Sequence, residues 1–317
     1  MLRADAKAVL ADMARKKRVQ TEPRDAAQTL AQARAMTFSL ADYSGEAPKD
    51  VTTEDVTLER PAEGGCRQTA AGALGLRLYR PAAPARTMLV WYHGGGAMAG
   101  SLDSHDVALR QLCAATGRLI ASVDYRLAPE HVSPAPQEDC IAATRALIAR
   151  AGEFGCDPAG VAIGGDSIGG LITAVVALAL RDAGEATAEK LVMLYPNTDL
   201  RPDRPFASLR SESGKMMTEY SLAYENGLFV PDPDDRSDPV VSPLLAPDLS
   251  RLPPTLLVTC EHDPLRDEGE AFAARLAEAG VAVTARRLDG TIHGVLQMDG
   301  WLGAAKELRA SIAGFLG

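Results

Sequence analysis

Beyond Pro84 the chain repeats one pattern: a short, nearly uninterrupted apolar run, then a segment of helical period, then another apolar run. The runs are TMLVWYH (87–93), LIASVDY (119–125), VAIGG (161–165), KLVMLYP (190–196), TLLVTCE (255–261) and VAVTARRL (281–288). Segments of helical period lie between most of them, at about 104–116, 136–151, 168–182 and 267–279, and a last one at about 301–316. A strand that is apolar on both sides must be covered on both faces. The alternation therefore predicts an α/β fold with a mostly parallel sheet between two helical layers and right-handed crossovers. Two earlier segments, VTTEDVTLER (51–60) and LGLRLYRP (74–81), alternate with period two. They predict an antiparallel start to the sheet, with Gly64-Gly65 in their connection. Residues 1–50 read as helical and Ala-rich, with Leu2, Val9, Leu10 and Met13 near one face. The stretch 197–250 breaks the rhythm with many prolines, and connections that long are seldom idle.

Composition narrows the classes of partner. At 317 residues, 46% hydrophobic and 24% charged, a large buried core is feasible. The net charge of −9 argues against nucleic acid and anionic membranes as partners. The basic run Arg15-Lys16-Lys17-Arg18 reads as a solvated helix face. Charges interrupt the first 18 residues, so they do not read as a signal peptide. Ile168–Leu180 is apolar but too short to span a bilayer. The cysteines (Cys66, Cys113, Cys140, Cys156, Cys260) are odd in number and scattered, which predicts a reduced, cytoplasmic protein without disulfides or a metal centre.

One turn carries chemistry. GGDSIGG (164–170) joins the run VAIGG to the segment IGGLITAVVALAL, and Gly165-Asp166-Ser167-Ile168-Gly169 fits G-x-S-x-G. Ligands of an open α/β sheet collect at the carboxyl ends of its strands. A serine held there on a strained turn needs glycine neighbours, and the helix behind it offers unpaired N–H groups to a developing oxyanion. The hydroxyl also needs a base and an orienting acid. Five histidines are available: His93, His105, His131, His262 and His293. His293 lies in the loop after the last strand, and Asp263 follows TLLVTC. The order Ser167, Asp263, His293 suits such a site. Glu261, Asp267 and Glu268 are rival acids, the latter two read as serving the following helix N-terminus. Tyr92-His93-Gly94-Gly95-Gly96 ends another strand, and its glycines let backbone N–H groups approach a substrate.

Taken together, HGGG (93–96), DYRLAPEH (124–131), GGDSIGG (164–170), LYP (194–196), DPLRDEG (263–269) and IHG (292–294) resemble the hormone-sensitive-lipase-like branch of the α/β-hydrolases, the bacterial family IV carboxylesterases. The resemblance covers about residue 70 to the C-terminus. It implies an α/β-hydrolase sheet of about eight strands in a catalytic domain over 51–317. Residues 1–50 and part of 200–240 would form a helical cap. It implies Ser167 as nucleophile, His293 as base, Asp263 as its partner, and oxyanion donors at Gly94, Gly95, Gly96 and Ile168. No cofactor or metal is implied; the substrate would be a small ester of short to medium chain. Homodimerisation through the last edge strand near 281–287 is a further implication. Arg126 and Glu130 are expected to pair with each other, and Asp166 to be hydrogen-bonded within the turn. Three positions depart from the family pattern: Ile168, expected to narrow the acyl side, Ala97 and Val295. An amidase or deacetylase on the same three residues, and a non-catalytic small-molecule receptor of the same fold, are the alternatives.

Overall fold

The computed structural model describes residues 1–17, 25–60 and 72–317, so Arg18, Cys66 and the Gly64-Gly65 connection lie outside the described residues. Its centre is one sheet of eight strands: β1 (Thr52–Arg60), β2 (Gly72–Arg80), β3 (Met88–Tyr92), β4 (Leu119–Asp124), β5 (Val161–Asp166), β6 (Leu191–Leu194), β7 (Thr255–His262) and β8 (Val283–Ile292). The order is β1-β2-β4-β3-β5-β6-β7-β8. β2 pairs antiparallel with both β1 and β4, and every later pairing is parallel. This is the α/β-hydrolase fold expected from the sequence.

The reason for the unbroken apolar runs is visible in β3, which is buried along its whole length. Met88, Val90 and Tyr92 face one core, and Leu89 and Trp91 face the other. The first core is closed by α4 (Ala135–Ala149), α5 (Ile168–Asp182) and α8 (Arg266–Glu278). The second is closed by α1 (Ala4–Lys17), α3 (Asp106–Thr116) and α9 (Ala304–Leu316). α5 is buried on nearly all sides, which accounts for its membrane-like composition. Among the described residues, no helix is long and apolar enough to cross a membrane.

Boundaries differ from expectation where local geometry intervenes. His105 takes the N-cap position of α3, with φ −109° and ψ 0°, so the helix starts at Asp106. α9 starts at Ala304 because the preceding loop is tied to the N-terminal segment, with the Gly300 N–H donating to the Tyr43 carbonyl.

Two segments cross the carboxyl ends of the strands. One is α1 with α2 (Ala26–Phe38) and a 3₁₀ turn over Ser39–Tyr43. The other lies between β6 and β7 and carries α6 (Ser208–Ser211) and α7 (Glu219–Phe229), the latter opened by a capping box at Thr218 and Ser221. Both are anchored by polar contacts. Arg34 donates to the Met98 and Ala128 carbonyls and pairs with Glu130 at 2.6 Å. Glu268, fully buried, accepts from the Thr198 and Asp199 N–H groups and pairs with Arg204 at 3.0 Å. A buried ion pair left with one partner is strongly destabilising, so this contact fixes where the second segment starts.

Candidate active site

Ser167 occupies the tight turn between β5 and α5 with φ 57° and ψ −120°, a strained conformation for a residue with a side chain. The turn is held by the Ser167 N–H donating to the Leu194 carbonyl at 2.8 Å. The flanking glycines are required by close approach. A Cβ on Gly165 would strike the Gly169 backbone, and one on Gly169 would strike the Tyr92 carbonyl. The G-x-S-x-G spacing is therefore a packing requirement that pushes the serine outward.

Asp263 follows β7 and is fully buried. Its Oδ1 accepts from the Leu265 N–H, and its Oδ2 accepts from His293 Nδ1 at 2.8 Å. With Nδ1 carrying that proton, Nε2 keeps its lone pair for another partner. Burial works against the charged imidazole, but Asp263's charge and hydrogen bond outweigh it, and His293 is held above its usual pKa. The Tyr195 ring packs edge-on to the imidazole at 4.7 Å, and its hydroxyl accepts from the Leu296 N–H. Tyr195 is thus a wall for the base.

The rival side chains have other partners. Glu261 binds the N-terminal ammonium at 3.0 Å and the Gly290 N–H at 2.6 Å. Asp267 accepts from the Ser208 N–H, and Glu268 holds Thr198 and Asp199. Both sit in the first turn of α8, yet each holds the β6–β7 segment, and Asp267 also pairs with Arg266 at 2.8 Å. His262 pairs with Glu212, and His131 is exposed. His93 is stacked on Tyr125 at 4.3 Å, and burial pushes its pKa down to about 4.

Asp166 is the hub of the turn. It accepts from Trp91 Nε1, from the Gly94 N–H at 3.1 Å and from His105 at 3.2 Å. Burial opposes its ionisation, but His105 and the other donors keep the carboxyl below its usual range. This corrects one expected oxyanion donor. The Gly94 N–H points at Asp166 and is engaged there, so Gly94 supports the loop. Gly95 and Gly96, with φ +124° and +62°, turn the chain over the serine, and both line the cavity beside it. Among the described residues, no protein acceptor takes the N–H of Gly95, Gly96 or Ile168.

Two further corrections follow. Arg126 does not pair with Glu130; it binds Asp139 at 2.8 Å, and Glu130 binds Arg34. The three departures from the family pattern do not shape the cavity. Ile168, Ala97 and Val295 are all buried in the cores and none lines it. The Ile168 side chain is buried in the first core and is not part of the cavity wall, so it does not narrow the acyl side.

The cavity itself holds about 80 Å³ and is lined by Gly96, Ser167, His293, Glu225 and the methionines Met13, Met36, Met216 and Met217. Met13, Met36 and Met216 also border an outer chamber of about 320 Å³. Sequence reasoning missed Glu225 and these methionines. They lie in α1, α2 and the β6–β7 segment, where no motif marks them.

Comparison with known proteins agrees with this fold. Residues 89–297 match a family model described as the alpha/beta hydrolase fold. The carboxylic ester hydrolase LipN of Mycobacterium tuberculosis is 42% identical over 235 residues, covering 72% of this chain and 62% of that protein. The ethyl acetate hydrolase of Pseudomonas putida is 38% identical over 239 residues, covering 74% of this chain and 75% of that one. Among solved structures, the ester hydrolase EH1AB1 from the metagenome of Lake Arreo, complexed with a bipyridine phosphonate derivative, superposes with a TM-score of 0.89 at 35% identity, covering 100% of this chain and 98% of that one. The chain is an enzyme of the α/β-hydrolase family and belongs to its hormone-sensitive-lipase-like carboxylesterase branch.

Proposed function

We propose that the protein is a serine carboxylesterase acting on short- to medium-chain esters through an acyl-enzyme. The observation that carries this reading is Ser167 on its strained turn, in one cavity with a His293 whose Nδ1 is held by buried Asp263. His293 Nε2 takes the Ser167 proton as Oγ attacks the ester carbonyl carbon. The negative oxygen is received by the N–H groups of Gly95, Gly96 and Ile168, each donor being worth on the order of 10²–10³ in rate. The carbonyl re-forms, and the alcohol leaves with the proton from His293. A water then gives its proton to His293 and attacks the acyl carbon. The acid departs, and the proton returns to Ser167. The names of the relatives, LipN and the ethyl acetate hydrolase among them, support ester over amide. Parallel assays on a matched nitrophenyl ester and nitroanilide test that choice: preferential ester cleavage is expected, and preferential anilide cleavage contradicts it.

The α1–α2 segment over 1–50 and part of 200–240 act as a cap, since both contribute walls to the cavity. The small chamber beside Ser167 suits short acyl groups, and longer ones must pass the methionines. Met side chains yield without breaking the fold, so they act as a soft limit on chain length. Truncating Met13 or Met36 to Ala should raise kcat/KM for hexanoate relative to acetate about tenfold. An unchanged chain-length profile of nitrophenyl esters would remove the methionines from this role.

Among the described residues four cysteines, Cys113, Cys140, Cys156 and Cys260, are buried free thiols, which supports a cytoplasmic setting. β8 ends the sheet with Thr284 to Arg287 exposed, an unpaired edge that suits a second copy of the chain. Sedimentation at micromolar concentration should show twice the chain mass; a monomer throughout would reject this pairing.

A further inference from the structure

One acidic side chain at the cavity serves neither the proposed reaction nor the turn that presents Ser167. Glu225, on α7, lines the chamber that holds Ser167 and His293. Its carboxyl lies against the oxyanion loop: a Cβ on Gly96 would stand 2.5 Å from Glu225 Oε2. Among the described residues the carboxyl has no hydrogen-bond partner, whereas Asp166, the other acid at this cavity, is held by Trp91, Gly94 and His105. Among the described residues, no lysine or arginine lines the chamber. Arg34, the cation of α2 at this end of the sheet, is committed to the Met98 and Ala128 carbonyls and to Glu130. From α1, α2 and the 216–217 segment the lining residues are uncharged. Among the described residues, His293 is therefore the one basic side chain that lines the chamber with Glu225, and it is already bound to Asp263.

An unpartnered carboxyl in an apolar, acid-lined chamber lacks a counter-charge. When ionised beside the oxyanion loop it also opposes the negative charge that develops there. A substrate bearing its own positive charge supplies the missing partner and offsets that repulsion. We propose that Glu225 is a specificity-determining residue that selects carboxylic esters carrying an ammonium group near the scissile bond. This rests on the esterase reading above. Burial pushes the Glu225 carboxyl up to about 7, against the smaller opposing pull of His293. Its charge therefore grows across neutral pH, and the preference for cationic esters grows with it.

Isosteric ester pairs test this. Choline acetate is compared with 3,3-dimethylbutyl acetate, which puts the charge on the alcohol side. Ethyl 4-(trimethylammonio)butanoate is compared with ethyl 5,5-dimethylhexanoate, which puts it on the acyl side. A quaternary nitrogen does not titrate, so any pH dependence of the ratio belongs to the protein. In wild type the cationic-to-neutral ratio of kcat/KM should rise between pH 6 and pH 8 for at least one pair, and in Glu225→Gln it should fall about tenfold and lose that rise. Ratios that are the same in both proteins, with turnover of the neutral esters intact, overturn the assignment. A wild type inert to all four esters rejects the esterase reading instead. Titration of choline acetate into Ser167→Ala protein then still decides the role of Glu225: a Kd that weakens about tenfold on adding Glu225→Gln supports it, and an unmoved Kd overturns it.

Discussion

Replacing Ser167 with alanine should lower kcat for a nitrophenyl acetate by a factor on the order of 10⁵–10⁶ while leaving the fold intact. The side chain loses only its oxygen, and the turn is held by backbone contacts that alanine retains, among them the Ser167 N–H to the Leu194 carbonyl. KM should move little, because the cavity walls and the oxyanion donors stay in place. Residual hydrolysis of about 10³–10⁴ over water is consistent with donors and binding acting without a nucleophile. The same variant separates enzyme from receptor. A receptor of this fold would bind the ester equally well with or without the hydroxyl and would turn over neither.

Asp263→Asn should cost about 10⁴ in kcat, roughly 5 kcal/mol of barrier. The argument is one of tautomers. Asparagine Oδ1 can keep the Leu265 N–H, but its amide N–H₂ then faces His293 Nδ1, which must become an acceptor. The imidazole proton moves to Nε2 and points away from a basic role. The pH profile supplies a second readout. His293 is held above its usual pKa against the effect of burial, chiefly by Asp263. A base must be unprotonated, so wild-type activity falls as pH drops through that raised value. Removing the carboxylate lowers the His293 pKa, and the acid limb of kcat/KM moves to lower pH even as its plateau falls. Glu261→Gln serves as the contrast, since Glu261 binds the N-terminal ammonium and Gly290, and it should leave both plateau and limb within about twofold of wild type.

The strands and helices were legible because both faces of the sheet are buried. β3 alternates between two cores, so every position along it is apolar, and the pattern cannot be mistaken for a surface strand. The pairing of Asp263 with His293 was legible because strand ends bring motif loops together in a fixed order. What failed were contacts decided by side-chain reach. Arg126 and Glu130 lie in one motif, yet the chain turns between them, and each finds its charge elsewhere, Asp139 for one and Arg34 for the other. Gly94 reads like its two neighbours, but an acceptor contributed by Asp166 takes its N–H. Ile168 stands beside the serine in sequence while its side chain leaves for the core, because the residue after a strand-to-helix turn starts the buried face of α5. Glu225 and the methionines carry no local signature. Their importance arises only when the segments before β1 and after β6 fold over the same strand ends.

The central claim is that Ser167 is the group that bonds to carbon. A nitrophenyl alkylphosphonate tests it directly, because phosphorus accepts the same attack and the adduct does not turn over. Intact mass and peptide mapping should find one phosphonyl group per chain, on Ser167, formed with release of one nitrophenolate and absent from Ser167→Ala. A modified residue other than Ser167, or full ester turnover by protein that takes up no phosphonate, would contradict the account.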